Sequence, residues 1–239
     1  MELIILAAGQ GKRVNKYLKK NKCLLKIKGK TLIEKIIDDF QSTIKVDKVS
    51  VVTGYKNAKI KSNLKNYNIN YIYNKDYKKK EMLHSLYLGL LQARTDIIVS
   101  YSDIYFSKKI ISLIKKKKSK KIILPINSNW KQVWKNRKKL FVDDCESLKF
   151  NKDFKLTEIG NKITNIDEVM GQYMGLVFIP KGLIPNIKKF YKKKIKNSKK
   201  HITEFLNDLI NKKYEIYCLP TKVKWYEFDD MQDIKNFKK

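Results

Sequence analysis

Short runs of β-branched and aliphatic residues alternate with longer helical patterns along this chain. This order is typical of a parallel sheet covered by helices, because parallel strands need crossover connections that helices supply. The predicted fold class is therefore α/β and Rossmann-like, with a mostly parallel sheet flanked by helices. Strands are predicted at Glu2 to Ala7, Lys48 to Thr53, Asn70 to Tyr73, Asp96 to Ser100, Lys121 to Ile126 and Gly175 to Ile179.

Two segments between these strands have clear helical patterns. Thr31 and Glu34 form the capping-box pair that begins a helix, ahead of apolar residues at helical spacing. A second helix is predicted from Glu81 to Ala93, with Ser85 near its N-terminal end. Because a helix N-terminus favours anions, we expect Ser85 to help place a nucleotide there.

The length of 239 residues suits one α/β core, and two independent domains would both be small. We therefore predict a single domain over residues 1–239. The stretch from 129 to 165 is irregular and rich in short turns. It is interpreted as an insertion over the active face rather than a separate domain.

The net charge of +31 comes from 54 Lys and Arg residues against 23 acidic ones. The excess is mostly Lys, spread from end to end in a chain that also favours Asn, Ile and Tyr, which indicates a coding bias. The lysine runs are not interleaved with aromatic stacking platforms, so nucleic acid is not a predicted partner. A basic nucleic-acid-binding module stays as a remote alternative, and the positive field suits a nucleotide and an anionic acceptor.

The cysteines and the apolar runs indicate the compartment. Cys23, Cys145 and Cys218 are odd in number and widely spaced, which argues against a disulfide framework and against zinc. No stretch approaches the roughly 18 apolar residues that span a bilayer, and no signal peptide is recognised. We expect a cytoplasmic protein without a membrane partner.

A glycine-containing turn directly follows the first predicted strand. Small residues and two glycines let backbone N–H groups approach a triphosphate closely, and an arginine can neutralise phosphate charge. Val14 stands where the dinucleotide fingerprint has a third glycine, and the GKS or GKT ending of a P-loop is absent. The turn reads Leu6-Ala7-Ala8-Gly9-Gln10-Gly11-Lys12-Arg13.

This turn resembles the LAAGxGxR signature of the nucleotidyltransferases that activate sugar phosphates and related compounds. Asn21-Lys22-Cys23-Leu24 is similar to that family's PKxL motif, with Lys22 at the phosphate-contacting lysine and Asn21 in place of proline, which predicts a less rigid loop. The resemblance implies a GT-A-like nucleotidyltransferase fold. Together with the helix position of Ser85, it predicts the nucleotide-binding residues Leu6, Ala7, Ala8, Gly9, Gly11, Arg13, Lys22, Ser85 and Asp103.

Two distant aspartates complete the resemblance. A predicted buried strand runs into Asp103, as in the family's strand that ends in a metal-binding aspartate, and residues 225–229 resemble its W-x-E-x-D segment, ending at Asp229. The resemblance implies a magnesium site made by Asp103 and Asp229, which suits an ion that prefers oxygen ligands. A turn role for Asp103 and a helix N-cap role for Asp229 are the alternatives, and Asp230 is assigned the cap. Arg13 and Lys22 join the two aspartates as predicted catalytic residues.

Stretches between residues 130 and 176 resemble the cytidylyltransferase branch of the family, which includes enzymes acting on phosphocholine and on alkylphosphonates. Aromatic rings there suit a cation–π cage around an ammonium, and acidic residues suit a primary amine. Packing of the insertion against the sheet explains any one of these rings equally well. The predicted acceptor-binding residues are Trp130, Trp134, Asp144, Glu146, Gln172, Tyr173 and Trp225.

The predicted function is that of a magnesium-dependent cytidylyltransferase. It transfers CMP from CTP to phosphocholine or to an aminoalkyl- or hydroxyalkylphosphonate and releases pyrophosphate. The first alternative is a sugar-1-phosphate nucleotidyltransferase using UTP, GTP or dTTP. A glycosyltransferase is disfavoured because Asp103-Ile104-Tyr105 lacks an Asp-x-Asp motif. His84 and His201 have no evident partners and no predicted role, and a homo-oligomer stays open.

Overall fold

A computed structural model describes residues 1–11, 21–117, 119–134, 145–195, 200–229 and 231–238, with the backbone alone at 133, 134, 194, 195, 231 and 238. The strands are β1 (Glu2–Ala7), β2 (Lys26–Ile27), β3 (Lys30–Thr31), β4 (Lys48–Thr53), β5 (Asn70–Tyr73), β6 (Ile97–Tyr101), β7 (Ile104–Phe106), β8 (Ile122–Asn127), β9 (Glu146–Phe150), β10 (Leu156–Lys162), β11 (Gln172–Tyr173), β12 (Leu176–Ile179), β13 (Ile216–Thr221) and β14 (Trp225–Glu227).

The α-helices are α1 (Leu32–Thr43), α2 (Asn57–Asn63), α3 (Met82–Gln92), α4 (Lys109–Lys117), α5 (Trp130–Trp134), α6 (Ile184–Phe190), α7 (Ile202–Asn211) and α8 (Met231–Lys238). Short 3-10 turns lie at Lys22–Leu24, Ile166–Glu168 and Lys181–Leu183, and a π-helical turn follows α6 at Tyr191–Ile195. Within the described ranges, no helix has both the length and the apolar character needed to cross a bilayer.

The central sheet has the order β5-β4-β1-β6-β12-β8-β13. The short strand β11 also pairs with β8, next to the residues of β8 that pair with β12. Its strands run parallel except β11 and β12, which are antiparallel to their neighbours. The predicted α/β class with a mostly parallel sheet is confirmed. Predicted strand bounds agree at β1, β4 and β5, and they differ by one residue at β6, β8 and β12.

Helices cover both faces of the sheet and enclose two apolar cores. The predicted capping box of α1 is present, with hydrogen bonds in both directions between Thr31 and Glu34. On the other face, α3 packs tightly on β1, since a Cβ atom at Gly89 would lie 2.7 Å from Cγ2 of Ile4. The sheet is therefore packed on both sides, and this packing positions its strand ends.

The predicted insertion at 129–165 contains α5 and the antiparallel hairpin β9–β10. The hairpin is tied to the edge of the main sheet by a hydrogen bond from the backbone N–H of Cys218 to the carbonyl oxygen of Phe154, at 2.8 Å. It also packs closely on α7, because a Cβ atom at Gly160 would lie 2.8 Å from the carbonyl carbon of Thr203. Part of this segment, 135–144, lies outside the described residues.

Candidate active site

The carboxyl ends of three parallel strands meet at one edge of the sheet. In register, Ala7 of β1 is opposite Thr53 of β4, and Leu6 of β1 is opposite Tyr101 of β6. The turns that follow these strands therefore begin side by side. This edge is where ligands bind in open α/β sheets.

A small antiparallel ribbon brings the C-terminal aspartate to that edge. Strand β14 pairs with β7, with Glu227 opposite Ile104, and the backbone N–H of Phe228 donates to the carbonyl oxygen of Asp103 at 3.1 Å. Asp229 follows directly, and its own N–H donates to Oδ2 of Asp233 at 2.8 Å. Two residues far apart in sequence are thus placed on one wall of a cleft.

Lys22 lies between the two aspartates. Its Nζ atom is 3.2 Å from Oδ2 of Asp103 and 3.0 Å from Oδ1 of Asp229. Burial lowers the pKa of the Lys22 ammonium, but the charges of Asp103, Asp229 and Glu227 outweigh that effect, so its pKa lies above the ordinary range. Lys22 is therefore charged at neutral pH. Both carboxylates face the same small volume, as the prediction of a shared ion requires.

The glycine turn lies against the Lys22 side chain. Gly11 has φ of +54°, and a Cβ atom there would come within 3.0 Å of Cγ of Lys22. The carbonyl oxygen of Ala8 accepts a hydrogen bond from the N–H of Tyr55 at 3.1 Å, which fixes the start of the turn. The cleft begins at Ala8, since the side chains of Leu6 and Ala7 are buried in the two cores.

Gly54 packs against the glycine turn, and the sequence analysis missed it. It follows β4, and a Cβ atom there would lie 2.7 Å from Cβ of Tyr77 and 2.8 Å from the carbonyl oxygen of Ala8. The close approach of Tyr77 and Ala8 to this position requires glycine. The signal in the sequence was the Thr53-Gly54 ending of a predicted strand, which parallels the ending of the first strand.

Asn21 anchors the segment that leads into Lys22. It has φ of −64° and ψ of 139°, a conformation that proline also adopts. Its side-chain amide donates to the carbonyl oxygen of Tyr55 at 2.8 Å. A hydrogen bond thus holds the position at which the resembling family has a proline ring.

The cleft has a volume of about 440 Å³ and extends from the glycine turn to the start of α3. Ser85 lies there, as predicted, and is buried. The Asn74 amide donates to Oγ of Ser85 at 3.0 Å, and Asn74 Oδ1 accepts from the N–H of Asp76 at 2.9 Å. Asn74 was not predicted, because its role depends on a contact between the end of β5 and α3.

Tyr101 and Glu227 line the cleft together with Asp103. The rings of Tyr101 and Tyr173 are in edge contact at 5.6 Å. Burial, followed by the charge of Glu227, raises the pKa of Tyr173. Burial also raises the pKa of Tyr101, with smaller contributions from Tyr173, Glu227, Asp103 and Glu146. Both phenols are therefore neutral at physiological pH. Tyr173 and Glu146 were predicted as acceptor-binding residues, whereas Tyr101 and Glu227 were missed.

Two of the tryptophans predicted to form a cage are buried instead. Trp130 and Trp225 are each 2% exposed, Trp130 packs with Ile163 and Val169, and the Trp225 indole N–H donates to the carbonyl oxygen of Met174 at 2.9 Å. Neither presents an open ring face to a ligand. The prediction that these two rings help to form an open cage is therefore wrong. Each of the two rings fills an apolar cluster instead.

The other predicted residues are placed as follows. Gln172 is half-buried in β11, opposite Asn127 of β8. Arg13, Asp144 and Asp230, and the side chain of Trp134, lie outside the described residues. The expectations for these residues stay predictions.

Both histidines have acidic neighbours, contrary to expectation. Nε2 of His84 is 3.7 Å from Oδ2 of Asp76, and its Nδ1 is 2.9 Å from the Tyr191 hydroxyl. Nδ1 of His201 is 4.0 Å from Oε2 of Glu81, and both of these residues line the cleft. The partners come from other elements, so local sequence gave no sign of them.

The donor set beside the glycine turn fits a hard divalent cation. Two carboxylates already converge on one cationic atom, Nζ of Lys22. Over the residues that the structure describes, no three or more His, Cys, Asp and Glu side chains are grouped as a self-sufficient metal site. A pair of carboxylates suits Mg²⁺, which keeps several waters and takes further ligands from substrate phosphates.

Comparisons with known proteins identify the family of this chain. The model of the MobA-like NTP transferase domain matches residues 3–203. A CTP:phosphoglutamine cytidylyltransferase from Campylobacter jejuni is 30% identical to this chain, with 98% of each protein covered.

Solved structures share the fold at lower identity. A CTP:phosphocholine cytidylyltransferase from Streptococcus pneumoniae has a TM-score of 0.76 at 19% identity, covering 99% of this chain and 97% of that one. An inositol-1-phosphate CTP transferase from T. maritima has a TM-score of 0.73 at 16% identity, covering 97% and 90%.

Proposed function

The chain belongs to the MobA-like NTP transferase domain family, and on that premise we propose that it transfers CMP from CTP to a small phosphorylated or phosphonate acceptor. The observation that carries the proposal is the convergence of Asp103 and Asp229 on Lys22, beside a glycine turn at the carboxyl edge of the sheet. The choice of CTP rests on the full-length relative from Campylobacter jejuni, which is named for that nucleotide.

The acceptor proposal rests on negative charge beside Asp103. Glu227 lines the cleft there, and Glu146 lies close enough to influence the Tyr101 hydroxyl. Carboxylates at this place favour an acceptor with a cationic ammonium group as well as its phosphate or phosphonate. Phosphocholine, an aminoalkylphosphonate and the phosphoglutamine named for the relative all meet this description.

In the proposed reaction, an acceptor oxygen attacks the α-phosphorus of CTP. A new P–O bond forms to the acceptor, the bond from the α-phosphorus to the bridging oxygen breaks, and pyrophosphate departs with that electron pair. Because the acceptor oxyanion is already ionised near neutral pH, no strong general base is needed, and catalysis is positioning with charge neutralisation.

The chain's own groups contribute to that neutralisation. The backbone amides from Ala8 to Gly11 lie where the triphosphate would bind, and Lys22 carries a full positive charge beside them. Arg13 is the further cation that the sequence predicts for the same phosphates. Mg²⁺ held by Asp103 and Asp229 would neutralise phosphate charge when bound.

Pyrophosphate release from a panel of substrates tests the proposal. CTP, UTP, GTP and dTTP are each combined with a sugar 1-phosphate, phosphocholine, an aminoalkylphosphonate and phosphoglutamine, with and without Mg²⁺. We expect release with CTP and an ammonium-bearing acceptor only when Mg²⁺ is present. Release with a sugar 1-phosphate and UTP, GTP or dTTP would establish the sugar-phosphate alternative instead.

A further inference from the structure

We infer that Lys22 is an internal cation that occupies the space between Asp103 and Asp229 until the nucleotide draws it away, so that a divalent ion binds there together with the nucleotide and only weakly alone. The inference rests on the proposed function, because it assigns an order of binding to the same site. It concerns what the lysine does before any phosphate is present.

The contacts of Lys22 support this role. Its Nζ atom is 3.2 Å from an Asp103 oxygen and 3.0 Å from an Asp229 oxygen, and the three side chains are 13%, 16% and 26% exposed. At these distances and this burial, the attraction of the ammonium for each carboxylate is only partly screened by water. A divalent ion that approaches both carboxylates meets the repulsion of this ammonium.

The phosphate-binding turn lies close enough to move the lysine. The Lys22 side chain passes over Gly11, where a Cβ atom would come within 3.0 Å of Cγ of Lys22. A triphosphate bound to the amides of this turn would offer the ammonium another anionic partner nearby. The lysine then moves from carboxylate to phosphate, and the carboxylates become free for the metal ion.

This exchange couples the two ligands. Because the nucleotide removes a positive charge from between the aspartates, each ligand raises the affinity of the site for the other. In the absence of nucleotide, Lys22 also neutralises part of the repulsion between the two carboxylates. The same residue therefore stabilises the ligand-free site and disfavours binding of the ion alone.

Binding of Mn²⁺ alone, followed by electron paramagnetic resonance in the absence of nucleotide, tests the inference. Lys22→Met and Lys22→Gln remove the charge, and Lys22→Arg keeps it. Lys78→Met is the matched control, since Lys78 lines the same cleft with its ammonium over the Tyr77 ring. Thermal unfolding establishes that each variant is folded, and the glutamine variant retains hydrogen-bond donors for the carboxylates.

We expect the folded neutral variants to bind Mn²⁺ roughly tenfold or more tightly than the wild type. Lys22→Arg and Lys78→Met should stay near the wild-type affinity. Wild-type or weaker Mn²⁺ binding by the neutral variants would overturn the inference.

If the wild type still released pyrophosphate from CTP, the proposed function would survive that outcome. Tighter Mn²⁺ binding without pyrophosphate release from any nucleotide would leave the exchange standing and refute the proposed function.

Discussion

The backbone N–H of Phe228 donates a hydrogen bond to the carbonyl oxygen of Asp103 at 3.1 Å. This bond continues the ladder between β7 and β14 and sets which side chain of the C-terminal segment stands beside Asp103. A slip of one residue in this register would turn Asp229 to the other side of the ribbon. The geometry of the proposed metal site therefore depends on strand pairing as well as on the aspartates themselves.

Asp103→Asn should leave the fold intact and reduce turnover by about 100-fold or more, because a neutral amide binds the ion and positions the substrates poorly. The measurement is steady-state pyrophosphate release with CTP and the best acceptor, beside thermal unfolding. Asp229→Asn should behave alike, whereas Asp153→Asn, at an exposed position of the β9–β10 turn, should retain activity. Near-wild-type turnover by Asp103→Asn in Mg²⁺ would contradict the metal assignment.

Lys22→Ala should lower kcat far more than it raises the KM for the acceptor. The reason is that the ammonium neutralises charge on the departing pyrophosphate, which develops in the transition state. Steady-state kinetics with varied acceptor at saturating CTP separate the two effects. An unchanged kcat with a raised acceptor KM would assign Lys22 to acceptor binding instead.

Gly54→Ala should destabilise the protein by about 1 to 3 kcal/mol, because the added methyl group has no room beside Tyr77 and Ala8. It should also weaken CTP binding, because Ala8 belongs to the glycine turn. A Cβ atom there meets Tyr77 at 2.7 Å and Ala8 at 2.8 Å. Gly182→Ala is the matched control, since a Cβ atom at Gly182 has nothing within 4 Å. Urea unfolding and CTP titration measure both effects, and equal behaviour of the two variants would show that the loops separate easily.

The stability of the protein should depend on His84 as the pH falls below about 6.5, the ordinary pKa of histidine. Burial lowers the pKa of His84, the charge of Asp76 opposes that shift, and the charge of Lys80 adds to it. The imidazole also contacts Tyr87 and Tyr191. Below its ordinary pKa, the unfolded chain takes up a proton that the folded protein resists, so the free energy of unfolding decreases. This contribution is complete above that pKa and is lost on acidification.

His84→Gln removes that contribution, so its free energy of unfolding should fall less steeply than the wild-type value between about pH 7.5 and 5.5. Chemical denaturation at several pH values across this range gives the comparison. Parallel curves for the two proteins would show that His84 has the same proton affinity in the folded and unfolded states.

Much of the fold could be predicted, because its signals are local. The capping box of α1, the apolar runs of β1 and β4 and the glycine turn each depend on neighbouring residues. The pairing of Asp103 with Asp229 came from a family resemblance, since no local pattern encodes contact between residues so far apart in sequence.

The rest of the site depends on tertiary contacts. Lys22 was predicted to contact phosphate. In this structure it pairs with the carboxylates of Asp103, which follows β6, and Asp229, which follows β14. Trp225 was interpreted as a ligand-binding ring because a tryptophan pattern does not reveal burial. Asn74 acts through Ser85 of another element, so composition and spacing gave no sign of it. Glu227 stood inside the W-x-E-x-D segment, but its influence on Tyr173 depends on a tertiary contact.

The most direct test is anomalous diffraction from crystals grown with Mn²⁺ and CTP but without acceptor. We expect one Mn²⁺ peak at about 2.0 to 2.3 Å from carboxylate oxygens of both Asp103 and Asp229, with the triphosphate on the glycine turn and Lys22 on a phosphate. A peak that contacts neither aspartate, or only one while Lys22 still bridges the pair, would contradict it.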